Sequence, residues 1–134
     1  MVKEKRIAVN AFVIMSNHIH LIWQLQDGHE REDVQRDFLK FTSQTIKRDL
    51  QKNHSAVLDK FYVGAKDRKY QIWERNPLSV DLVTKEMFIQ KVEYIHYNPV
   101  VAGLRSYPEE YKYSSVKFYE TGVDEFCFLT HWMA

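Results

Sequence analysis

The chain is poor in the residues that mark several classes of protein. Its 134 residues include 1 Cys, 4 Gly and 3 Pro, and a single cysteine excludes an internal disulfide framework. That cysteine content is typical of a cytoplasmic protein. No apolar run has the length of a membrane span, and no secretory signal pattern opens the sequence. We therefore expect a cytoplasmic protein that does not bind membranes.

The sequence also lacks an excess of charge of either sign. Its formal net charge is +1, so overall charge does not indicate nucleic-acid binding. The distribution is uneven, because residues 60–77 contain five basic and two acidic side chains, whereas the tail after Tyr119 has no Lys or Arg. A basic middle with an acidic end fits a phosphate-binding face, and an ordinary solvated surface explains it equally well.

Apolar and aromatic residues are well represented. Hydrophobic residues make up 45% and aromatic residues 14% of the chain, which is enough for one globular domain over residues 1–134. The pattern predicts a hairpin from a buried strand at residues 7–14 and an alternating strand at 18–25. It predicts a helix over 31–53 with an apolar stripe that includes Val34 and Phe41. Residues 61–63 and 70–73 suit short strands.

A second helix carries a polar face of its own. Thr84 suits its N-cap, and Pro99 predicts its end at about Asn98, because a residue before proline avoids the helical region. Tyr94 and Asn98 are four residues apart, so they lie one turn apart on the same face. A tyrosine at the rim of the core and an Asn near the end of a helix explain these two residues without any function.

Two histidines in the second strand form the first candidate site. His18 and His20 are two residues apart, so both side chains project from the same face and converge on one ion without backbone distortion. The spacing alone slightly favours the alternative, which is a pair of surface or hydrogen-bonded histidines on a half-exposed strand. Tyr94 and Asn98 add a nucleophile and an amide oxygen to the set of candidates.

Taken together, these segments resemble a known family. Residues 12–22, FVIMSNHIHLI, are similar to the HUH motif (U being a bulky apolar residue) of the REP-associated tyrosine transposases, which are single-tyrosine members of the HUH nuclease superfamily. Residues 94–104, YIHYNPVVAGL, resemble the tyrosine helix and following turn of that family. Residues 73–74 and 111–115 resemble further tracts, and the order and spacing agree over residues 8–119.

The resemblance implies both a fold and an activity. It implies an α+β, ferredoxin-like domain, with an antiparallel sheet and helices packed on one face. It implies metal-dependent cleavage of single-stranded DNA near hairpins and strand transfer through a 5′-phosphotyrosine, as in DNA transposition. By motif position Tyr94 is the nucleophile and His18, His20 and Asn98 are the metal ligands. The ligand set suits Mg²⁺ or Mn²⁺ and admits Zn²⁺. The family also implies a homodimer.

The sequence departs from the family at its beginning. Family members carry a strand and a helix before the HUH hairpin, and here only a few residues precede the first predicted strand. We therefore expect an N-terminally shortened domain that lacks the first strand and helix, with an exposed sheet edge. This departure keeps three alternatives open: a non-catalytic remnant that binds single-stranded or hairpin DNA, a phosphodiesterase that uses water, and a purely structural domain.

Basic and aromatic side chains supply candidate DNA contacts. Trp73 and Tyr97 are candidates for stacking on unpaired bases, although Trp73 also suits a core. The candidate phosphate contacts are Lys40, Lys47, Lys66, Arg68, Lys69 and Arg75.

Overall fold

The computed structural model describes all residues, Met1–Ala134, and forms two compact units. The first unit comprises Met1–Gly28 with Asp81–Ala134, and the second is His29–Val80. The architecture is α+β with an antiparallel sheet, consistent with a ferredoxin-like arrangement, which confirms the predicted class. Whether the whole chain is one domain stays a prediction. None of the helices combines the length and apolar character needed to cross a bilayer.

The secondary structure follows most of the sequence pattern. In chain order the elements are β1 (Ile7–Ile14), β2 (Ile19–Leu25), α1 (Arg31–Asn53), α2 (Ser55–Asp59), α3 (Lys85–Val101) and α4 (Val116–Thr121), with a 3-10 turn at Pro108–Glu110. The hairpin, α1 and the start of α3 match the prediction. The short helices α2 and α4 carry too few residues for a readable helical period.

The core of the first unit lies between β1 and α3. Ala11 and Val13 of β1, with Met15 directly after the strand, alternate along the chain and pack against Val92 and Ile95 of α3. Alternation puts these three residues on one face, and the spacing of three puts the two helix residues on one stripe. Val13 is fully buried, so this contact fixes the position of α3 on the sheet.

The opposite face of β1 is covered by the C-terminal segment. The ring of Phe12 lies 5.0 Å from that of Phe126, edge to face, and 5.5 Å from that of Phe128, measured between centroids. Most of β1 is therefore buried on both faces, which explains why Asn10 is its only polar residue. Helix α3 covers one face of this strand, and aromatic side chains cover the other.

The free edge of β1 is also covered, so the predicted exposed edge is wrong for this strand. The backbone N–H of Ile14 donates to the carbonyl of Tyr113 at 2.8 Å, and the N–H of Thr130 donates to the carbonyl of Val9 at 2.8 Å. Two C-terminal segments thus satisfy backbone groups that a neighbouring strand would otherwise pair.

Helix α3 begins as predicted and ends later than predicted. The Oγ1 of Thr84 accepts the backbone N–H of Met87 at 3.1 Å, which confirms the N-cap. The predicted end at Asn98 is wrong, because the helix continues through Pro99 to Val101. The proline removes one helical donor, its side chain is fully buried, and the backbone N–H of Ala102 still donates to the carbonyl of Asn98 at 3.0 Å. Burial of the ring offsets part of the cost of the lost bond.

The second unit has a smaller core. Val34 of α1 and Leu58 of α2 are buried, whereas Phe41 is 70% exposed, so the predicted apolar stripe is wrong at that residue. The two predicted short strands meet at a single antiparallel bridge between Tyr62 and Tyr70. Too few residues pair there to form a sheet.

Candidate active site

The sheet register puts His20 on the face of the hairpin where α3 packs. Val13 pairs with His20, and Ala11 pairs with Ile22. Since directly opposite residues in an antiparallel pair share a face, the side chain of His20 lies on the same side as the buried Val13. The strand pairing therefore orients this imidazole toward α3.

Three of the four predicted site residues come together there. The rings of His18 and His20 are 5.0 Å apart between centroids, and the rings of His20 and Tyr94 are 5.6 Å apart, both in edge-to-face geometry. Tyr94 is 57% exposed, so its hydroxyl is open to a large substrate. The hairpin and α3 thus build a cluster of two imidazoles and one accessible phenol.

A hydrogen bond orients the His18 ring. Its Nδ1 lies 2.7 Å from the Oδ1 of Asn17. Because an amide oxygen only accepts, the Nδ1–H donates in this bond, which leaves Nε2 as the ring nitrogen available to a metal ion. A ligating histidine characteristically donates its other ring N–H in this way, which orients the ring and makes the free nitrogen more basic.

The surroundings of His20 favour its neutral form. Partial burial, together with the charges of His18 and Lys91, lowers the pKa of His20 below its ordinary value. Burial and neighbouring positive charge both disfavour the imidazolium. A neutral imidazole has the lone pair that metal coordination requires.

Lys91 is part of this cluster, and no role is predicted for it from the sequence. Its Nζ lies 5.4 Å from the centroid of the Tyr94 ring. The two residues are three apart on α3, so the helical spacing brings them side by side. The sequence shows this spacing, but lysines are common on exposed helix faces. Only the contact with the Tyr94 ring, which the structure shows, distinguishes Lys91 from them.

Asn98 is less closely tied to the cluster. It is half-buried on α3, one turn beyond Tyr94, and its side chain makes no hydrogen bond. The amide oxygen is therefore available to an ion. No hydrogen bond joins Asn98 to either histidine, and its role as a ligand stays a prediction.

The donors present suit a divalent ion with open coordination positions. Two imidazoles and an unbonded amide oxygen give a mixed nitrogen and oxygen set, which fits Mn²⁺ and tolerates Mg²⁺. No group of three His, Cys, Asp or Glu side chains converges anywhere in the chain. A site built from His18, His20 and Asn98 therefore leaves coordination positions for substrate or water.

A buried hydrogen-bond network includes His96, which follows Tyr94 by two residues in the sequence. His96 is 6% exposed, and its Nε2 lies 2.7 Å from the Oγ of Ser115. The same Oγ accepts the backbone N–H of Phe12 at 2.9 Å. Burial lowers the pKa of His96 to about 4. This network joins α3 to β1, and a lone His and Ser in the sequence gave no signal for it.

The candidate DNA contacts fall into two groups. Lys40, Lys47, Arg68 and Arg75 line an open groove of about 310 Å³ in the second unit, and Lys66 and Lys69 do not line it. Trp73 lines the same groove, and its Nε1 donates to the Oγ1 of Thr42 at 2.9 Å. Tyr97 is 54% exposed on α3.

Comparison with protein-family models, curated proteins and solved structures gave no match to this chain. The similarity to the REP-associated tyrosine transposases therefore depends on the quoted motifs alone. The geometry of the cluster is an independent line of argument, because it follows from strand register and helix packing.

Proposed function

We propose that the chain cleaves single-stranded DNA with Tyr94 as the nucleophile and a divalent ion held by His18, His20 and Asn98. The reaction is a strand transfer of the transposase type, in which the cut end stays attached to the protein. The observation that carries the proposal is the approach of His20 to Tyr94, with ring centroids 5.6 Å apart. Two elements far apart in sequence bring these side chains together.

The exposed phenol supports attack on a polymer rather than on a small molecule. The Oη of Tyr94 attacks phosphorus, the bond from phosphorus to the 3′ oxygen breaks, and a 5′-phosphotyrosine forms. The phenol proton leaves to a base or to solvent, and the departing 3′ oxygen takes up a proton. A later attack by a 3′-OH on the phosphotyrosine reverses these bonds and joins strands, with no external energy source.

Each neighbouring side chain has a distinct role in this proposal. A bound divalent ion supplies Lewis-acid polarisation of the phosphate and offsets its negative charge. His18 and His20 would hold that ion through ring nitrogens. Lys91 lies 5.4 Å from the Tyr94 ring, and its positive charge stabilises negative charge on the attacking oxygen. Tight packing of α3 on β1 holds the phenol against His20.

One alternative is a phosphodiesterase that uses water, with Tyr94 only structural. The exposure of Tyr94, 57%, favours the covalent reading, because a structural tyrosine in a core contact is covered. The other alternative is a remnant that binds DNA without cutting it. The gathering of two imidazoles beside an accessible phenol favours catalysis over this second reading.

A labelled hairpin DNA with a single-stranded flank separates these readings. The protein is incubated with this DNA and Mn²⁺, and the products are resolved on a denaturing gel. We expect a protein-linked DNA band that is absent in Tyr94→Phe. Tyr97→Phe is the matched control, since Tyr97 is a comparably exposed tyrosine on the same helix.

The same gel identifies each alternative. Cleaved DNA without an adduct, retained in Tyr94→Phe, indicates hydrolysis by water. Uncut DNA under all metal conditions, with a shifted band for the same mixture on a native gel, indicates the non-catalytic remnant. An adduct that persists in Tyr94→Phe and vanishes in Tyr97→Phe indicates that Tyr97, and not Tyr94, is the nucleophile.

A further inference from the structure

The groove in the second unit combines positive charge with aromatic side chains. Four cationic side chains line it against one carboxylate, that of Glu74, and the rings of Tyr70 and Trp73 form part of its wall. An anionic ligand with flat, apolar rings fits both features. Unpaired nucleotides have this chemistry, since their phosphates are anionic and their exposed bases stack on aromatic side chains.

Two lysines of α1 carry the unpaired charge in the groove. Lys40 and Lys47 lie on one stripe of the helix, with Ser43 and Gln44 between them, and the seven-residue spacing separates them by roughly 10 Å along the axis. Neither ammonium group forms an ion pair in the structure. These two side chains are therefore available to phosphates.

The two arginines in the groove are already engaged. Arg68 forms an ion pair with Asp67 at 2.7 Å, and its Nη2 donates to the Oε1 of Gln71 at 2.9 Å. Arg75 lies 3.8 Å from the same carboxylate of Asp67. These contacts hold the segment around residues 67–75 in shape, so we assign the arginines to the groove wall and the lysines to the ligand.

Trp73 is held in place from one edge. Its Nε1 donates to the Oγ1 of Thr42, and that hydroxyl donates in turn to the carbonyl of Phe38 at 2.8 Å. The indole is half-buried, so its position is fixed while part of its surface faces the groove. An anchored ring stacks on a base with little loss of side-chain entropy.

We propose that this groove binds unpaired nucleotides of single-stranded DNA independently of metal, with phosphates on Lys40 and Lys47 and a base on Trp73. The choice of DNA rather than RNA rests on the proposed function above. The groove itself is a second binding site, separate in sequence and in chemistry from the cluster around Tyr94. A duplex fits less well, because its bases are stacked within the helix and cannot reach an aromatic wall.

The test measures binding alone, so it does not depend on cleavage. Full-length Tyr94→Phe protein is titrated, with EDTA present, into fluorescently labelled oligothymidine, and anisotropy is followed at several salt concentrations. In Lys40→Gln/Lys47→Gln we expect affinity at low salt to fall about tenfold or more. The negative slope of log affinity against log salt becomes shallower by about 1.4, since each phosphate contact on a single strand contributes about 0.7 to its magnitude.

A matched control removes the same charge elsewhere in the same unit. Lys52 and Lys60 are exposed and do not line the groove, so Lys52→Gln/Lys60→Gln is expected to leave the slope nearly unchanged. Trp73→Leu is expected to weaken binding roughly tenfold while keeping the salt slope. Circular dichroism checks the fold of Trp73→Leu. If that variant is unfolded, the lysine variants alone test the groove assignment.

Several results would overturn the assignment. One is an equal loss of affinity in the groove and control variants. A second is a blunt duplex that binds as tightly as oligothymidine, and a third is oligouridine that binds more tightly than oligothymidine. A fourth is polyglutamate that displaces oligothymidine as effectively as unlabelled oligothymidine does, which would indicate an acidic protein partner. If oligothymidine binds as expected but the protein with Tyr94 intact does not cleave DNA, the groove assignment is retained and the proposed function is overturned.

Discussion

The two units of the chain carry candidate sites of opposite character. In the first unit, the proposed catalytic side chains project from elements fixed by a buried core, with the fully buried Val13 directly across the strand pair from His20. In the second, long cationic side chains line an open groove beside a helix that exposes Phe41. The contrast matches the role that we propose for each site.

Bond-forming chemistry requires fixed geometry, whereas phosphate binding tolerates movement. A displacement of about 1 Å costs an enzyme orders of magnitude in rate, so the cluster around Tyr94 needs the rigid packing of α3 on β1. Coulomb attraction between an ammonium group and a phosphate falls off slowly with distance. Flexible lysines on a lightly packed helix are sufficient for that purpose.

The largest expected effect tests the metal ligands. In His18→Ala/His20→Ala, we expect Mn²⁺ binding to be lost in isothermal titration and DNA cleavage to fall by about 1000-fold or more, because the ion supplies several kcal/mol of charge stabilisation. His54→Ala is the control, since His54 is exposed in the second unit. Unchanged Mn²⁺ affinity in the double variant contradicts the ligand assignment.

Removal of one hydroxyl in each unit compares their packing directly. Ser115→Ala leaves the buried Nε2 of His96 and N–H of Phe12 without partners, and we expect it to lower the free energy of unfolding by roughly 3 to 4 kcal/mol. Thr42→Val removes the acceptor of the half-buried Trp73 N–H, at a cost of about 1 kcal/mol. Urea denaturation measures both, and equal losses contradict the contrast between the units.

Acid is expected to destabilise the first unit through His96. Its pKa is about 4 in the folded protein, below the roughly 6.5 of an unfolded histidine. The unfolded state therefore takes up the proton first, and stability is lost as pH falls from about 6.5 to about 4, by roughly 3 kcal/mol. Urea unfolding of wild type and His96→Gln across this range measures the difference. Parallel pH profiles of the two proteins contradict the burial argument.

The smallest effect concerns Lys91. We expect Lys91→Gln to slow cleavage about fivefold to tenfold, because it removes one partly solvated charge beside Tyr94. Lys112→Gln is the matched control, as the Nζ of Lys112 lies 5.8 Å from the ring centroid of Tyr113, outside the cluster. Equal rates for the two variants in single-turnover assays contradict a role for Lys91.

Local patterns account for most elements and for part of the site. The period of two fixed the hairpin and the shared face of His18 and His20, and the N-cap of Thr84 fixed the start of α3. The expectation that a helix ends before proline was wrong at Pro99. That expectation counts the cost of the lost hydrogen bond, but it does not count the stabilisation from burial of the proline ring. Tertiary packing decided that position.

Contacts between distant segments could not be read from the sequence. The edge of β1 is paired with Tyr113 and Thr130, about a hundred residues away, and no local signal marks that pairing. The bond between His96 and Ser115 depends on how α3 docks against the sheet. The groove likewise needs Trp73 beside α1, which the sequence indicated only as separate basic and aromatic residues.

Peptide mapping of the DNA-protein adduct is the most direct test of the central claim. The protein is reacted with single-stranded hairpin DNA and Mn²⁺, digested with nuclease and protease, and analysed by tandem mass spectrometry. We predict a phosphonucleotide on the Oη of Tyr94 and on no other residue. Cleaved DNA without a modified peptide, or modification at another tyrosine such as Tyr97, contradicts the account.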